Sequence, residues 1–220
     1  MKPVLQVALD FTDLYDALEL ATKLSSSVGK ENLWIEAGTP LIKSWGRVAV
    51  KLLKEFTGCT VVADTKTMDT GGLEAELFYR AGADVVTILG LADDSTVKEA
   101  IEKAREYNKL VAIDLINHPN PINRAVEVVE AGADIVIYHV GIDVQKKRGL
   151  SVTDMINELI ELRKRIQNRI AVAGGIKHGD TRRFLDIGID IIIVGSAITK
   201  SDNPVEATKR FIEELLSSKP

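Results

Sequence analysis

The segment Arg80-Ala81-Gly82-Ala83-Asp84-Val85-Val86 decides the fold, because its pattern returns as Glu130-Ala131-Gly132-Ala133-Asp134-Ile135-Val136 and as Asp186-Ile187-Gly188-Ile189-Asp190-Ile191-Ile192. Each copy reads as a helix closed by a left-handed glycine, then an aspartate ahead of a buried, β-branched strand. The copies start 50 and 56 residues apart, the length of two strand-helix units. Working outward, eight short apolar runs predict strands over Val4 to Leu9, Leu33 to Ile35, Thr60 to Ala63, Val85 to Leu89, Leu110 to Ile113, Ile135 to Tyr138, Ile170 to Ala173 and Ile191 to Val194. After each comes an amphipathic stretch, from Leu14 to Ser26 at the start to Pro204 to Leu216 at the end, with Val152 to Ile166 read as one helix. Strands alternating with helices call for a parallel sheet with crossover helices, and the two-unit repeat favours closure into a (β/α)8 TIM barrel over an open sheet. No Pro/Gly/Ser-rich linker interrupts the 220 residues, so one domain over 1–220 is expected.

Composition narrows the function. The chain is 45% hydrophobic and 27% charged with a formal net charge of −4, so no general attraction to nucleic acid or anionic lipid is expected. Cys59 is the single cysteine, which excludes an internal disulfide and a thiolate metal cluster and fits a reducing compartment. No apolar run reaches 18 residues and the first residues lack a secretory apolar core, so a cytoplasmic protein without a membrane partner is expected.

In such barrels the reactive groups gather at the C-terminal ends of the strands. Those positions hold Asp10, Glu36, Asp64 with Lys66, Gly90, Asp114 with Asn117, His139, Gly174-Gly175 and Gly195-Ser196. Charges collected on one small mouth without partners would each cost several kcal/mol, so a purely structural barrel has little reason to gather them. Within Val61-Val62-Ala63-Asp64-Thr65-Lys66-Thr67-Met68-Asp69, Asp64 and Lys66 are two residues apart at a strand exit and can share one face. An ammonium there suits stabilisation of a developing oxyanion. A surface ion pair at a strand end is the plainer reading. Asp69, five residues past Asp64, can lie up to roughly 16 Å from it, far enough to enter a neighbouring subunit.

Glu36 and Asp64 on adjacent strands offer two hard oxygen ligands. Magnesium needs only one or two protein carboxylates and completes its shell with water and substrate, so Mg2+ fits this pair and a caged zinc does not. Glu36 as a loop cap is the structural alternative. Asp10 orients a substrate hydroxyl or the lysine, or else caps the first helix. His139 stands on the reactive rim, where an imidazole can carry a proton, although a lone histidine is commonly only a rim residue. His118 and His178 look peripheral. The loops after the seventh and eighth strands, with Gly174, Gly175, Gly195 and Ser196, match the place where barrels of this kind hold a phosphate group.

These residues together resemble a known family over essentially the whole chain from Leu5 to Leu215. Asp64, Lys66 and Asp69 meet an Asp-x-Lys-x-x-Asp signature, and Leu5-Gln6-Val7-Ala8-Leu9-Asp10, Glu36 before Gly38-Thr39-Pro40, Asp114-Leu115-Ile116-Asn117, His139 to Asp143 with Gln145, and Ala171-Val172-Ala173-Gly174-Gly175-Ile176 are similar to hexulose-6-phosphate synthases. Those enzymes belong to the suprafamily of orotidine-monophosphate decarboxylase, with the ketogulonate-phosphate decarboxylases. The resemblance implies a reversible, magnesium-dependent aldol condensation of ribulose 5-phosphate with formaldehyde through an enediolate. It assigns Glu36 and Asp64 to the metal, Lys66 to the enediolate, His139 to the proton, and Asp10 and Asp69 to positioning, with Asp69 reaching across a homodimer. Val140 and Gly141 follow His139 where the decarboxylases carry an arginine, which favours the synthase. Ser196 stands where many relatives place a phosphate-gripping arginine, so phosphate would lean on backbone N–H groups with Lys177 or Lys200. Two other readings stay open: a ketogulonate-phosphate decarboxylase, and a non-catalytic phosphosugar-binding barrel.

Overall fold

The computed structural model describes residues 3–217; the ends of the expected 1–220 domain lie outside the described residues. In chain order the elements are β1 (Val4–Leu9), α1 (Leu14–Ser27), β2 (Leu33–Ala37), α2 (Thr39–Trp45), α3 (Arg47–Thr57), β3 (Thr60–Thr67), α4 (Gly71–Arg80), β4 (Val85–Leu89), α5 (Asp94–Glu106), β5 (Leu110–Asp114), α6 (Pro121–Glu130), β6 (Ile135–His139), α7 (Ile142–Arg148), α8 (Ile156–Arg165), β7 (Arg169–Ala173), α9 (Thr181–Ile187), β8 (Ile191–Val194), α10 (Ser196–Thr199) and α11 (Pro204–Ser217). The eight parallel strands close in sequence order, β8 pairing with β1, so the fold is the (β/α)8 barrel that the repeat predicts.

Three short helices, α2, α7 and α10, add to the eight expected, and the stretch expected as one helix from Val152 splits into a 3₁₀ turn, Val152–Met155, and α8. The repeat acts as its pattern demands: Gly82, Gly132 and Gly188 hold φ of 103°, 109° and 89°, a region costly for residues with a Cβ. The aspartate that follows each glycine then accepts a backbone N–H from the preceding strand. Asp84 takes Val61, Asp134 takes Val111 and Asp190 takes Ile170, each at 2.9 Å.

The core has two layers. Outward strand residues such as Leu5, Val7, Ile35, Val61, Val86, Ile113 and Val136 bury against the helices, while Ala8, Trp34, Val62, Val85, Ala112, Ile137, Ala173 and Ile193 fill the barrel interior. Strand side chains alternate between faces, so the interior set fixes which residues above it point into the mouth. Counting two on from Ala8, Trp34, Val62, Val85, Ala112 and Ile137 gives Asp10, Glu36, Asp64, Thr87, Asp114 and His139. The apolar floor therefore carries a polar ring directly above it. Among the described residues, no helix is long and apolar enough to cross a membrane.

Candidate active site

That polar ring lines a cavity of about 560 Å³ at the C-terminal end of the barrel, within the size range of small-molecule sites. Asp10, Glu36, Asp64, Lys66, Thr87, Asp114 and His139 all reach it, as do Gly174, Gly175, Gly195, Ser196 and Lys200. Asp69 does not: it is exposed on the loop before α4, its Oδ1 accepting the N–H of Thr70 at 2.8 Å. Gly90, Asn117, His118, Lys177 and His178 also lie outside the cavity wall.

The Asp64 carboxylate is held from three sides. Thr87 donates to Oδ1 at 2.9 Å, while Thr39 at 2.7 Å and the Lys66 ammonium at 2.5 Å donate to Oδ2. Lys66 reaches this position through an irregularity in the pairing of β3. The β3–β4 register shifts between Ala63 and Thr67, Lys66 adopts φ 48°, and its N–H donates to Thr87 Oγ1 at 3.0 Å. Bulges of this kind re-aim a side chain at a functional site, and a left-handed lysine persists only where its surroundings compensate the strain. Burial opposes the charge on Lys66, but attraction to Asp64, Asp114 and Glu36 outweighs it and raises the affinity for the proton above that of an ordinary lysine. Lys66 is therefore a permanent cation here.

Glu36 is buried, and its Oε2 accepts from Gln6 Nε2 at 2.6 Å. Its other oxygen receives no hydrogen bond from the described residues. Burial first, and then repulsion from Asp64, pushes the Glu36 carboxyl up to about 8. Asp10 is raised as well, by desolvation and by Asp64. It is not a helix cap, since Asp13 caps α1 by accepting from Tyr15 and Asp16. Its carboxylate lies against Gly38, where a Cβ would come within 2.2 Å of Oδ1, so only glycine fits beneath it.

Asp114 is the participant to which sequence reasoning assigned no role. It is 1% exposed, Oδ2 lying 2.9 Å from His139 Nδ1 and 3.5 Å from Lys66 Nζ. Burial opposes its charge, but His139 and Lys66 together hold its carboxyl below the usual range. An ionised carboxylate only accepts, so the proton of neutral His139 resides on Nδ1, and Nε2 is the nitrogen left to face substrate. Thr87 was missed as well. The interior alternation was the signal that finds both.

The donor set fits a divalent ion. Glu36 and Asp64 sit on neighbouring strands, each with an oxygen that has capacity to spare, and all their donor atoms are hard oxygens. Among the described residues no three or more His, Cys, Asp or Glu side chains form a metal cage. An ion here would therefore have to take water or substrate oxygens to complete its shell.

The profile of the orotidine 5'-phosphate decarboxylase / HUMPS family matches residues 3–211. The chain belongs to that family. Within it, the chain is 39% identical over 208 residues to 3-hexulose-6-phosphate synthase of Mycobacterium gastri, covering 94% of this chain and 97% of the relative. The crystal structure of 3-hexulose-6-phosphate synthase from Salmonella typhimurium superposes with a TM-score of 0.89 at 36% identity, covering all of both chains. That of 3-keto-L-gulonate-6-phosphate decarboxylase from Vibrio cholerae gives 0.85 at 28%, again over all of both chains. The family resemblance drawn from the motifs is thus established. Relatives named as synthases, at 36–39% identity, stand nearer to this chain than the decarboxylase does.

Proposed function

We propose that this chain is a lyase of the 3-hexulose-6-phosphate synthase type, joining D-ribulose 5-phosphate to formaldehyde in a reversible aldol condensation that depends on Mg2+. The observation that carries the reading is the charge imbalance of the cavity. Asp10, Glu36, Asp64 and Asp114 face one ammonium held among them, Lys66, a second on the cavity wall, Lys200, and one imidazole, so Glu36 keeps its proton near neutrality unless a further cation displaces it. Mg2+ on Glu36 and Asp64 would supply Lewis-acid stabilisation of negative charge on the substrate.

The remaining steps belong to side chains. His139 Nε2, with Nδ1 oriented by Asp114, removes the proton from C1 of the ketose phosphate, and the resulting enediolate forms beside the Lys66 ammonium. The enediolate carbon attacks formaldehyde, and the new alkoxide takes up the proton that His139 carries from C1. Lys66 is already fixed by Asp64, so little reorganisation is needed as charge develops. Asp10 is placed to orient substrate hydroxyls. Gly174 and Gly175, at φ 113° and 77°, and Gly195 with Ser196 bring backbone N–H groups to the cavity wall for the phosphate, Lys200 standing in for the arginine absent at Ser196. We further propose a homodimer in which Asp69 enters the partner's cavity. It is absent from its own, and Met68, Leu73 and Leu77 around it are exposed at 53%, 69% and 40%.

The deciding experiment is incubation with ribulose 5-phosphate, formaldehyde and Mg2+, following formaldehyde loss that stops on adding EDTA. Absence of consumption, together with CO2 release from 3-keto-L-gulonate 6-phosphate, would transfer the chain to the decarboxylase reading; neither reaction would leave the non-catalytic barrel. For the dimer, mixing inactive Asp69→Ala and Lys66→Ala subunits should restore part of the activity, and no rescue rejects sharing.

A further inference from the structure

The segment that follows the β7 glycine loop is held to the helix that follows the β8 loop by one side chain that the mechanism does not use. Glu214, on α11, accepts the Thr181 hydroxyl at 2.6 Å on Oε2 and the Gly179 N–H at 3.2 and 3.1 Å on its two oxygens, and Oε1 lies 3.2 Å from His178 Nδ1. The His178 ring stacks on Phe211 of the same helix with centroids 3.9 Å apart, and Phe211 and Thr181 are fully buried. All three loop partners lie on the segment that leaves β7. That segment holds three left-handed glycines, Gly174, Gly175 and Gly179, and such a run is costly to order unless both its ends are fixed. The near end is fixed by the Val152 N–H on the Gly174 carbonyl at 3.0 Å. Glu214 fixes the far end.

The helix that carries Glu214 is the continuation of the other loop. From Gly195 the chain forms α10, passes through four residues and enters α11, which packs against both α10 and α9. Ser201 ties back to the Ile198 carbonyl at 2.8 Å, so the connection is short and braced. A rigid helix rooted in the β8 loop thus grips the β7 loop through one carboxylate.

We infer that Glu214 is a positioning residue for the anion subsite: it sets the separation between the N–H groups of Gly175 and those of Gly195 and Ser196, and so tunes affinity for the phosphate group of the substrate. This rests on the phosphate reading of the two loops. With no arginine at Ser196 to pull the anion in, recognition depends more heavily on where those backbone donors stand.

The test measures ribulose 5-phosphate binding by calorimetry, its competition by inorganic phosphate, and Mg2+ binding separately, on the full chain and on Glu214→Ala and Thr181→Val. Glu214→Ala should weaken ribulose 5-phosphate and inorganic phosphate together by roughly tenfold, the scale for losing a partner one layer behind a ligand, with Mg2+ affinity within twofold of wild type. Thr181→Val removes one of the bonds at nearly constant volume, should show a smaller loss in the same direction, and decides the matter if Glu214→Ala does not fold. Phosphate competition intact in the wild type and unchanged within twofold in both variants overturns the inference and leaves the phosphate reading standing. Equal weakening of phosphate and Mg2+ also overturns it, as general loosening. Failure of inorganic phosphate to compete in the wild type removes both readings.

Discussion

The two ends of this barrel handle charge in opposite ways. At the N-terminal end, Asp84, Asp134 and Asp190 each satisfy one backbone N–H and face their own cations: Lys54 and Lys109, Arg105, and Arg163. Each aspartate has at least one cation of its own, and the unit recurs ahead of β4, β6 and β8. At the C-terminal end, four carboxylates line one cavity with Lys66, Lys200 and His139, Asp64 and Asp114 pairing with Lys66 and Asp114 also with His139, and none of the contacts repeats. A balanced, periodic arrangement serves the fold. An unbalanced one is tolerable only if a ligand completes it, and that asymmetry locates the function without reference to any relative.

The largest effect expected is at Lys66, where the comparison is sharpest. Lys66→Ala should lower turnover on the order of 10²–10³, the scale for one preorganised electrostatic group. A loss under threefold would show that the top rim is as structural as the bottom. Next comes Asp114→Asn, which keeps size but removes the obligate acceptor for His139 Nδ1. Turnover should fall by roughly 10- to 100-fold, as for other partners that orient a reacting group. The pH profile should also change shape, because the amide no longer dictates the His139 tautomer; an unaltered profile would argue that His139 needs no orientation.

Most of the balanced end was legible in the sequence, and much of the unbalanced end was not. Gly82-Ala83-Asp84 and its two copies could be read because helix end, left-handed glycine and strand start are consecutive residues, each with a local preference. Lys66 lines the cavity, but the bulge that delivers it depends on Thr87, 21 residues on, and no local rule announces it. Asp114 was seen at its strand end without a role, since its two partners come from β3 and β6. Helices α2, α7 and α10 span 7, 7 and 4 residues, too short for a period of 3.6 to declare itself, although Pro40 in the first turn of α2 was a usable start signal. A fourth copy of the repeat is absent ahead of β2. Asn32 stands ahead of β2 where the aspartates stand ahead of β4, β6 and β8, and its buried Oδ1 has no partner among the described residues.

Glu36 gives the imbalance a measurable sign. Its folded value, about 8, lies above the ordinary 4.5, so the folded protein holds a proton that the unfolded chain releases. In metal-free protein this stabilises the fold at low pH, and the stabilisation drains away as pH rises toward 8. Between pH 6 and 8 the loss should be about 2 kcal/mol, and Glu36→Gln should flatten it. Mg2+ binding should release close to one proton at pH 6.5 and almost none above pH 9, which calorimetry in buffers of different ionisation enthalpy reads directly. If metal-free stability is flat over this range in wild type, Glu36 is already compensated and the site is not short of a cation.

The smallest effect should come from the balanced end, and its size separates two accounts of the repeat. In Asp134 one oxygen takes the Val111 N–H, and Arg105, half-exposed, reaches both oxygens at 2.9 and 3.1 Å. If the aspartate serves mainly as a charge partner, Asp134→Asn should cost as much as Asp134→Ala. If it serves as a backbone acceptor, the amide oxygen replaces it and only a screened ion pair is lost, worth about 0.5 kcal/mol. Alanine leaves the Val111 N–H without its side-chain acceptor and should cost about 1–3 kcal/mol. Denaturant midpoints of the two variants decide, and the acceptor account requires asparagine to stay near wild type with activity per folded molecule unchanged, because nothing in this ring reaches the cavity.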